Sequence, residues 1–277
     1  MKLHQKFLAT VGSVALLLAL SSFASCADDS ETNTTPGFRV TLETRAELLE
    51  GPTFTNAFDW EITLSKVYVS SGALYYFDGS PIESAALPAP ESESKLGFLN
   101  PFAPSVAYAH PGHYQAGEAK GEMLEATSFE LVAGTATLAT GEGTSGLFRS
   151  ARFTFNSPAT GPNAGELGDK VLVVEGTAVK GALSKIFRLE GGEADVLDAA
   201  NEPAIEGSTF DEVDVQSDGV VTIHFNPEVW FDQAELDDVV DSSDGEPVLV
   251  PADDRAAKSF VRGIKKSSAI TFSFAAD

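Results

Sequence analysis

The sequence predicts an all-β fold, an antiparallel β-sandwich or flattened barrel with two short helices. Three observations lead there. Apolar residues fall in short runs that alternate or are rich in β-branched side chains, clusters of Gly, Asp, Asn and Pro separate those runs, and only two stretches carry helix-start signals. Residues 38–48 alternate in part through Val40 and Leu42. Residues 59–77 carry Trp60, Ile62, Leu64, Val67, Val69, Leu74 and Tyr76 around a break at Ser70-Ser71-Gly72, so the two stretches together predict three strands. Residues 128–139 and 147–156 predict a hairpin around Gly141-Glu142-Gly143-Thr144-Ser145-Gly146, and 170–179 with 183–189 predict another. Residues 210–216 and 220–226 flank Ser217-Asp218-Gly219, and Asp-Gly between apolar runs is a strong hairpin signal. A last strand is predicted over 269–274.

The first helix is predicted after Asn226-Pro227-Glu228, which supplies an N-cap, a Pro at the first helical position and an acid in the first turn ahead of Trp230, Phe231, Ala234 and Leu236. The second spans 254–265, with Ala257, Phe260, Val261 and Ile264 on one face and Lys265-Lys266 opposing the C-terminal dipole. Trp60 and Trp230 sit among apolar neighbours and read as core anchors. Residues 78–104 hold Pro81, Pro88, Pro90, Pro101 and Pro104 without hydrophobic period, which predicts a long exposed loop. There is no internal repeat.

Composition narrows function by exclusion. The 277 residues carry 18 Lys plus Arg against 41 Asp plus Glu, a net charge of −23. So acidic a chain is a poor partner for nucleic acid, whose phosphates need clustered cations. A single Cys excludes an internal disulfide and a thiolate zinc site.

That one Cys has a telling place. Lys2 and Lys6 precede an uncharged run over 7–20, and small residues follow up to Cys26, which is the pattern of a secretory signal rather than a spanning helix. Ala24, Ser25 and Cys26 resemble the lipobox of bacterial lipoproteins, with Phe23 where Leu is usual. The resemblance covers the first 26 residues and implies cleavage after residue 25 and lipid attachment to Cys26. Residues 26–37 then form a polar tether to a single β-rich domain over 38–277. Ala27 differs from the Asp of inner-membrane retention, so the expected address is the bacterial cell envelope, on the outer membrane at its periplasmic or surface face.

The strongest chemical motif of the mature chain is His110-Pro111-Gly112-His113. Pro-Gly favours a type II turn, which brings the flanking residues within about 7 Å. Two neutral imidazoles so placed suit Cu or Zn. Glu118 and Glu122 follow on a returning strand, and His224 lies on the polar face of its own strand, so the expected metal ligands are His110, His113, His224, Glu118 and Glu122. The Gly-rich stretch 141–146 fits a dinucleotide fingerprint, but the apolar run after it is strand-like rather than helical. Asp214, Asp218 and Gly219 lack the remaining calcium-loop ligands, and Asp237, Asp238, Asp241, Asp244 and Glu246 read as a solvated acidic loop.

No nucleophile elbow, zinc-protease helix or free thiol is present, so no catalytic role is expected. The sequence thus leads to a lipid-anchored extracytoplasmic binding protein, with a transition metal at the two-His turn. The alternative is a metal-free interaction or adhesion lipoprotein that meets a protein or glycan through its long loop and acidic surface.

Overall fold

The computed structural model describes residues 37–81 and 114–277. Gly37–Asp277 forms one compact unit, and its strands make the all-β architecture expected from the alternation. The strands are β1 (Arg39–Leu48), β2 (Thr53–Thr55), β3 (Glu61–Phe77), β4 (Ala119–Met123), β5 (Thr127–Glu130), β6 (Ala136–Thr137), β7 (Gly141–Thr144), β8 (Gly146–Phe155), β9 (Lys170–Lys180), β10 (Leu183–Gly192), β11 (Ala204–Val215), β12 (Gly219–Phe225), β13 (Val248–Leu249) and β14 (Ile270–Ala276). Neighbouring strands run β3-β4-β7-β1-β12-β14-β11-β8, and β8 returns to β3, so the hydrogen-bonded path closes into a barrel. The N-terminal half of β3 continues outward into β9, β10 and β13.

The sheet is mixed rather than antiparallel throughout, because β1 runs parallel to β12, β11 to β14 and β10 to β13. The expected break at Ser70-Ser71-Gly72 is instead the point where one continuous strand changes partner, from β9 on its first half to β8 on its second. Small residues are required there. Ser70 Oγ donates to Asn156 O at 2.7 Å, and a Cβ on Gly72 would lie 2.5 Å from Thr154 Oγ1.

Two expected hairpins take other partners. The Gly-rich stretch after residue 140 is no turn but β7, laid between β4 and β1. Its glycines make room, since a Cβ on Gly143 would stand 3.0 Å from Leu42 Cδ1 and one on Gly141 would stand 2.5 Å from Glu122 O. Strands β11 and β12 flank Asp218-Gly219, yet β14 lies between them, pairing β12 antiparallel over Gly219 to Phe225. Asp218 serves tertiary structure instead, its Oδ1 accepting the amide of Thr41 at 2.6 Å. The β9–β10 hairpin forms as expected.

The interior of the barrel is filled. Tyr76 packs against Phe148, Phe210 and Phe272 with ring centroids 6.0, 5.7 and 6.0 Å away, and all four rings are buried with Leu42 among them. Helices α2 (Pro227–Phe231) and α3 (Arg255–Ile264) cover the inner face of the β9–β10 extension, as the start signals predict. Asn226 Oδ1 accepts from Val229 N and Asp254 Oδ1 from Ala256 N. Phe231 anchors them, 5.6 Å from Phe54, 5.6 Å from Phe187 and 5.1 Å from Phe260. Trp60 and Trp230 are buried in this core. A further helical turn, α1 (Ala164–Leu167), carries no apolar stripe long enough to be read from sequence.

Asn56 ties the extension to α2. Its side chain donates to Phe231 O and Ala234 O at 3.2 and 2.8 Å and accepts from the amides of Phe58 and Trp60 at 3.0 and 3.1 Å. The acidic stretch after residue 236 is likewise strapped down. Lys180 Nζ donates to Asp237, and the buried Lys185 donates to Val239 O and Asp241 Oδ1, both at 2.6 Å.

Candidate functional site

Strand geometry places the candidate residues in two regions. Glu118 and Glu122 belong to the barrel end where chain enters and leaves the segment 82–113. There Asp78 N donates to Glu118 O at 3.2 Å and Gly79 N to Ala116 O at 2.9 Å, making a stem between β3 and β4. The stem is reinforced from β8, where Ser150 Oγ donates to Gly79 O at 2.7 Å and lies 2.8 Å from Tyr114 Oη. Burial pushes the Tyr114 phenol up, against a smaller opposing pull from Ser150. Gly37, the first described residue, lies at this same end. Arg39 pairs with Thr144, Gly143 with Gly121, and Ala119 with Phe77 across successive strands. At about 4.8 Å per strand, the start of β1 and the stem strand β3 are separated by roughly 15 Å.

Glu118, Asp78 and Glu142 at this end are already engaged by cations. Lys120 Nζ lies 2.7 Å from Glu118 Oε2 and 3.6 Å from Asp78 Oδ2, and those acids raise the pKa of its ammonium against the lowering effect of burial. Glu122 faces Glu142 in register, and Glu142 is paired with Arg39. Together they line an open groove of about 440 Å³. His110 and His113, like Cys26, lie outside the described residues.

His224 occupies the opposite end of the barrel wall. It pairs with Glu47, eight residues along β1 from Arg39, about 26 Å at the rise of a strand. The fold therefore does not bring His224 to Glu118 and Glu122. Among the described residues no three His, Cys, Asp or Glu side chains are grouped to hold a metal ion. The period of two explains the separation: it reads the face on which His224 stands, but not which strands lie beside it.

What stands beside His224 is chemically specific. The parallel β1–β12 register sets Glu47 next to it, and the antiparallel β12–β14 register sets Ser273 one diagonal step away, opposite Thr222. His224 Nε2 lies 2.8 Å from Ser273 Oγ. Nδ1 lies 3.2 Å from Glu47 Oε1, within ion-pair reach although not aligned as a hydrogen bond. Glu47 Oε2 in turn accepts from Thr135 Oγ1 at 3.2 Å. The imidazole is 20% exposed, enough for a small molecule to touch it. Glu47 and Ser273 gave no signal in the sequence, because their only mark is adjacency across strands far apart in the chain.

Two further charged clusters are structural. Glu175 is buried between Lys66 at 3.0 Å and Arg188 at 2.7 Å; burial opposes its ionisation, but the two cations outweigh it and hold its pKa down. Asp198, with Arg152 at 2.9 Å, is held down likewise by backbone amides and the guanidinium against the cost of burial.

Fold and site together define a closed, side-chain-filled barrel with a sheet-and-helix extension and a polar cluster on its outer wall. No family model, no curated protein and no solved structure matches the chain.

Proposed function

We propose that this protein is an extracytoplasmic, lipid-anchored binding protein that meets its partner, protein or glycan, on surface elements, with the segment 82–113 as the main contact. The observation that carries this reading is the packed interior. Tyr76, Phe148, Phe210 and Phe272 occupy the space in which a ligand-carrying barrel keeps its chamber, so recognition falls to the outside. The export signal and Cys26 support the anchorage, and the β3–β4 stem gives the long segment a rigid base. Membrane fractionation tests the anchor: Cys26→Ala releases the protein into the soluble envelope fraction, and continued membrane retention of that variant refutes lipidation. Crosslinking in intact cells, with the wild type against a variant lacking 82–113, tests the contact. Equal crosslinking of both removes the segment from the proposal.

The two imidazoles flanking Pro111-Gly112 favour a second reading, in which Cu or Zn binds at His110 and His113. Glu118 is the described candidate nearest to them along the chain, and it would have to leave Lys120 to join. Stoichiometric metal in untagged wild type, lost on His110→Ala with His113→Ala, supports the site. No uptake at micromolar free metal abandons it.

A further inference from the structure

We propose that Glu47, His224 and Ser273 form an acyl-transfer site on the outer wall of the barrel, with Ser273 as nucleophile toward small uncharged esters. It is a chemical activity beyond the binding role and independent of the membrane anchor. The argument is geometric. A serine hydroxyl is a weak nucleophile unless a base takes its proton as it attacks, and Ser273 Oγ stands 2.8 Å from His224 Nε2, inside the reach for that transfer. The imidazole needs its other nitrogen protonated to present a free lone pair at Nε2. Glu47 Oε1, 3.2 Å from Nδ1 and not yet aligned as a hydrogen bond, is the acceptor in reach of that proton. Thr135 restrains the second oxygen of Glu47. All three residues project from adjacent strands of a closed sheet, so the arrangement is preorganised rather than borne on loops.

The reaction balances with water as the only co-reactant. Ser273 Oγ bonds to the ester carbonyl carbon while its proton passes to Nε2, and the C–O bond to the leaving alcohol breaks as that proton is returned to it. Water then adds to the acyl carbon, giving its proton to Nε2, and Oγ departs and recovers it. The candidate donor for the developing oxyanion is a backbone amide on the far edge of β14. Its ladder with β11 has a single registered pair, Phe210 with Phe272, whereas that with β12 runs the length of the strand. Successive amides of a strand point to opposite edges, so one of those at Ser273 and Phe274 faces the side where β11 is out of register. The substrate class follows from the surroundings. The wall is open, which suits small molecules, and Arg45, the cation two residues from Glu47 on this face of β1, is paired with Glu43 at 3.3 Å, which with Glu47 leaves the local balance acidic and disfavours anions.

The test uses purified full-length protein and a fluorophosphonate probe, with the adduct mapped by peptide mass spectrometry and p-nitrophenyl acetate hydrolysis followed in parallel. The expected result is one adduct, on Ser273, abolished in Ser273→Ala and slowed about 100-fold or more in His224→Ala. Glu47 is a positioning residue, so Glu47→Gln slows labelling while Glu47→Asp restores a substantial part of it at an unchanged unfolding midpoint. The decisive measurement needs no variant. If the wild type takes up no probe, or takes it up elsewhere than Ser273, the site does not exist as proposed and the cluster is a polar cross-strand ladder.

Discussion

Replacing Phe210 by Ala probes the filled interior directly. The ring is 1% exposed and lies 5.7 Å from Tyr76, 5.5 Å from Phe148 and 6.0 Å from Phe272, so its loss removes a large buried side chain together with three aromatic contacts. Truncating a buried Phe costs about 3–5 kcal/mol, and the closed wall leaves the surroundings little freedom to collapse, which places this site at roughly 4 kcal/mol or above. For a domain of this size that is a fall in Tm of roughly 8–16 °C. Urea unfolding followed by tryptophan fluorescence is the assay, because Trp60 and Trp230 are both buried in the native state. The midpoint should drop with little change in slope, and Phe210→Leu should recover more than half of the loss. A cost below about 1 kcal/mol would mean that the ring has room to leave. The interior would then be loose enough to admit a ligand, and the case for surface recognition would fail with it.

Three other outcomes follow from the same coordinates. Gly219→Ala should cost about 1–3 kcal/mol by overpacking, since its Cβ would stand 2.4 Å from Ala275 O and 2.6 Å from the Phe274 ring; a neutral effect in urea unfolding would favour the β11–β12 hairpin over the inserted β14. Asn56→Ala strands two amides and two carbonyls in a buried place and should cost about 2–4 kcal/mol, with Asn56→Asp no better because it cannot donate to Phe231 O and Ala234 O; equal stability of wild type and Asn56→Ala would show that water replaces the side chain freely. Stability should also fall in acid. Glu175 and Asp198 have folded pKa values below their unfolded ones, so their contribution is complete above the ordinary carboxylate range and is lost as pH drops from about 5 through the depressed values. Glu175→Gln with Asp198→Asn should flatten the profile of urea midpoint against pH below 5, and an unaltered profile would assign the acid sensitivity elsewhere.

Fold class and most elements were legible because burial has a period. Alternation along β1 and β12 and the capped starts of α2 and α3 are local patterns, and each lies where those patterns predict. Pairing was not legible, because the strand order depends on which faces can bury most together. Asp218-Gly219 carries every local mark of a hairpin turn, yet the chain end returns as β14 and takes the place between the two strands. The Gly141 and Gly143 positions misled for a related reason. Glycine reads as punctuation, but here it is absence of volume, letting Leu42 of the neighbouring β1 and Phe148 of β8 close over Gly143 and the backbone of β4 approach Gly141. The candidate site divides in the same way. His224 was visible as a polar-face histidine, while Glu47 and Ser273 were out of sight because neither is near it in the chain.

The molecule has two ends with different work. The register from Arg39 to Glu47 separates the start of β1 and the β3–β4 stem from His224 and Ser273 by about the height of the barrel. On the proposed anchorage at Cys26, the first end is the one nearer the anchor along the chain. Nearness to the anchor does not by itself dictate which end a partner meets. What does distinguish them is chemistry. The first end offers backbone stem, ion-paired carboxylates and the exit of 82–113, all suited to holding a partner. The far end offers a hydroxyl, an imidazole and a carboxylate in contact on a rigid wall, suited to reacting with a small one. Removing 82–113 should therefore abolish partner crosslinking and leave phosphonate labelling of Ser273 intact, whereas Ser273→Ala should do the reverse. Loss of both functions in either variant would mean that the ends are coupled through the fold and that the division of labour argued from their separation is mistaken.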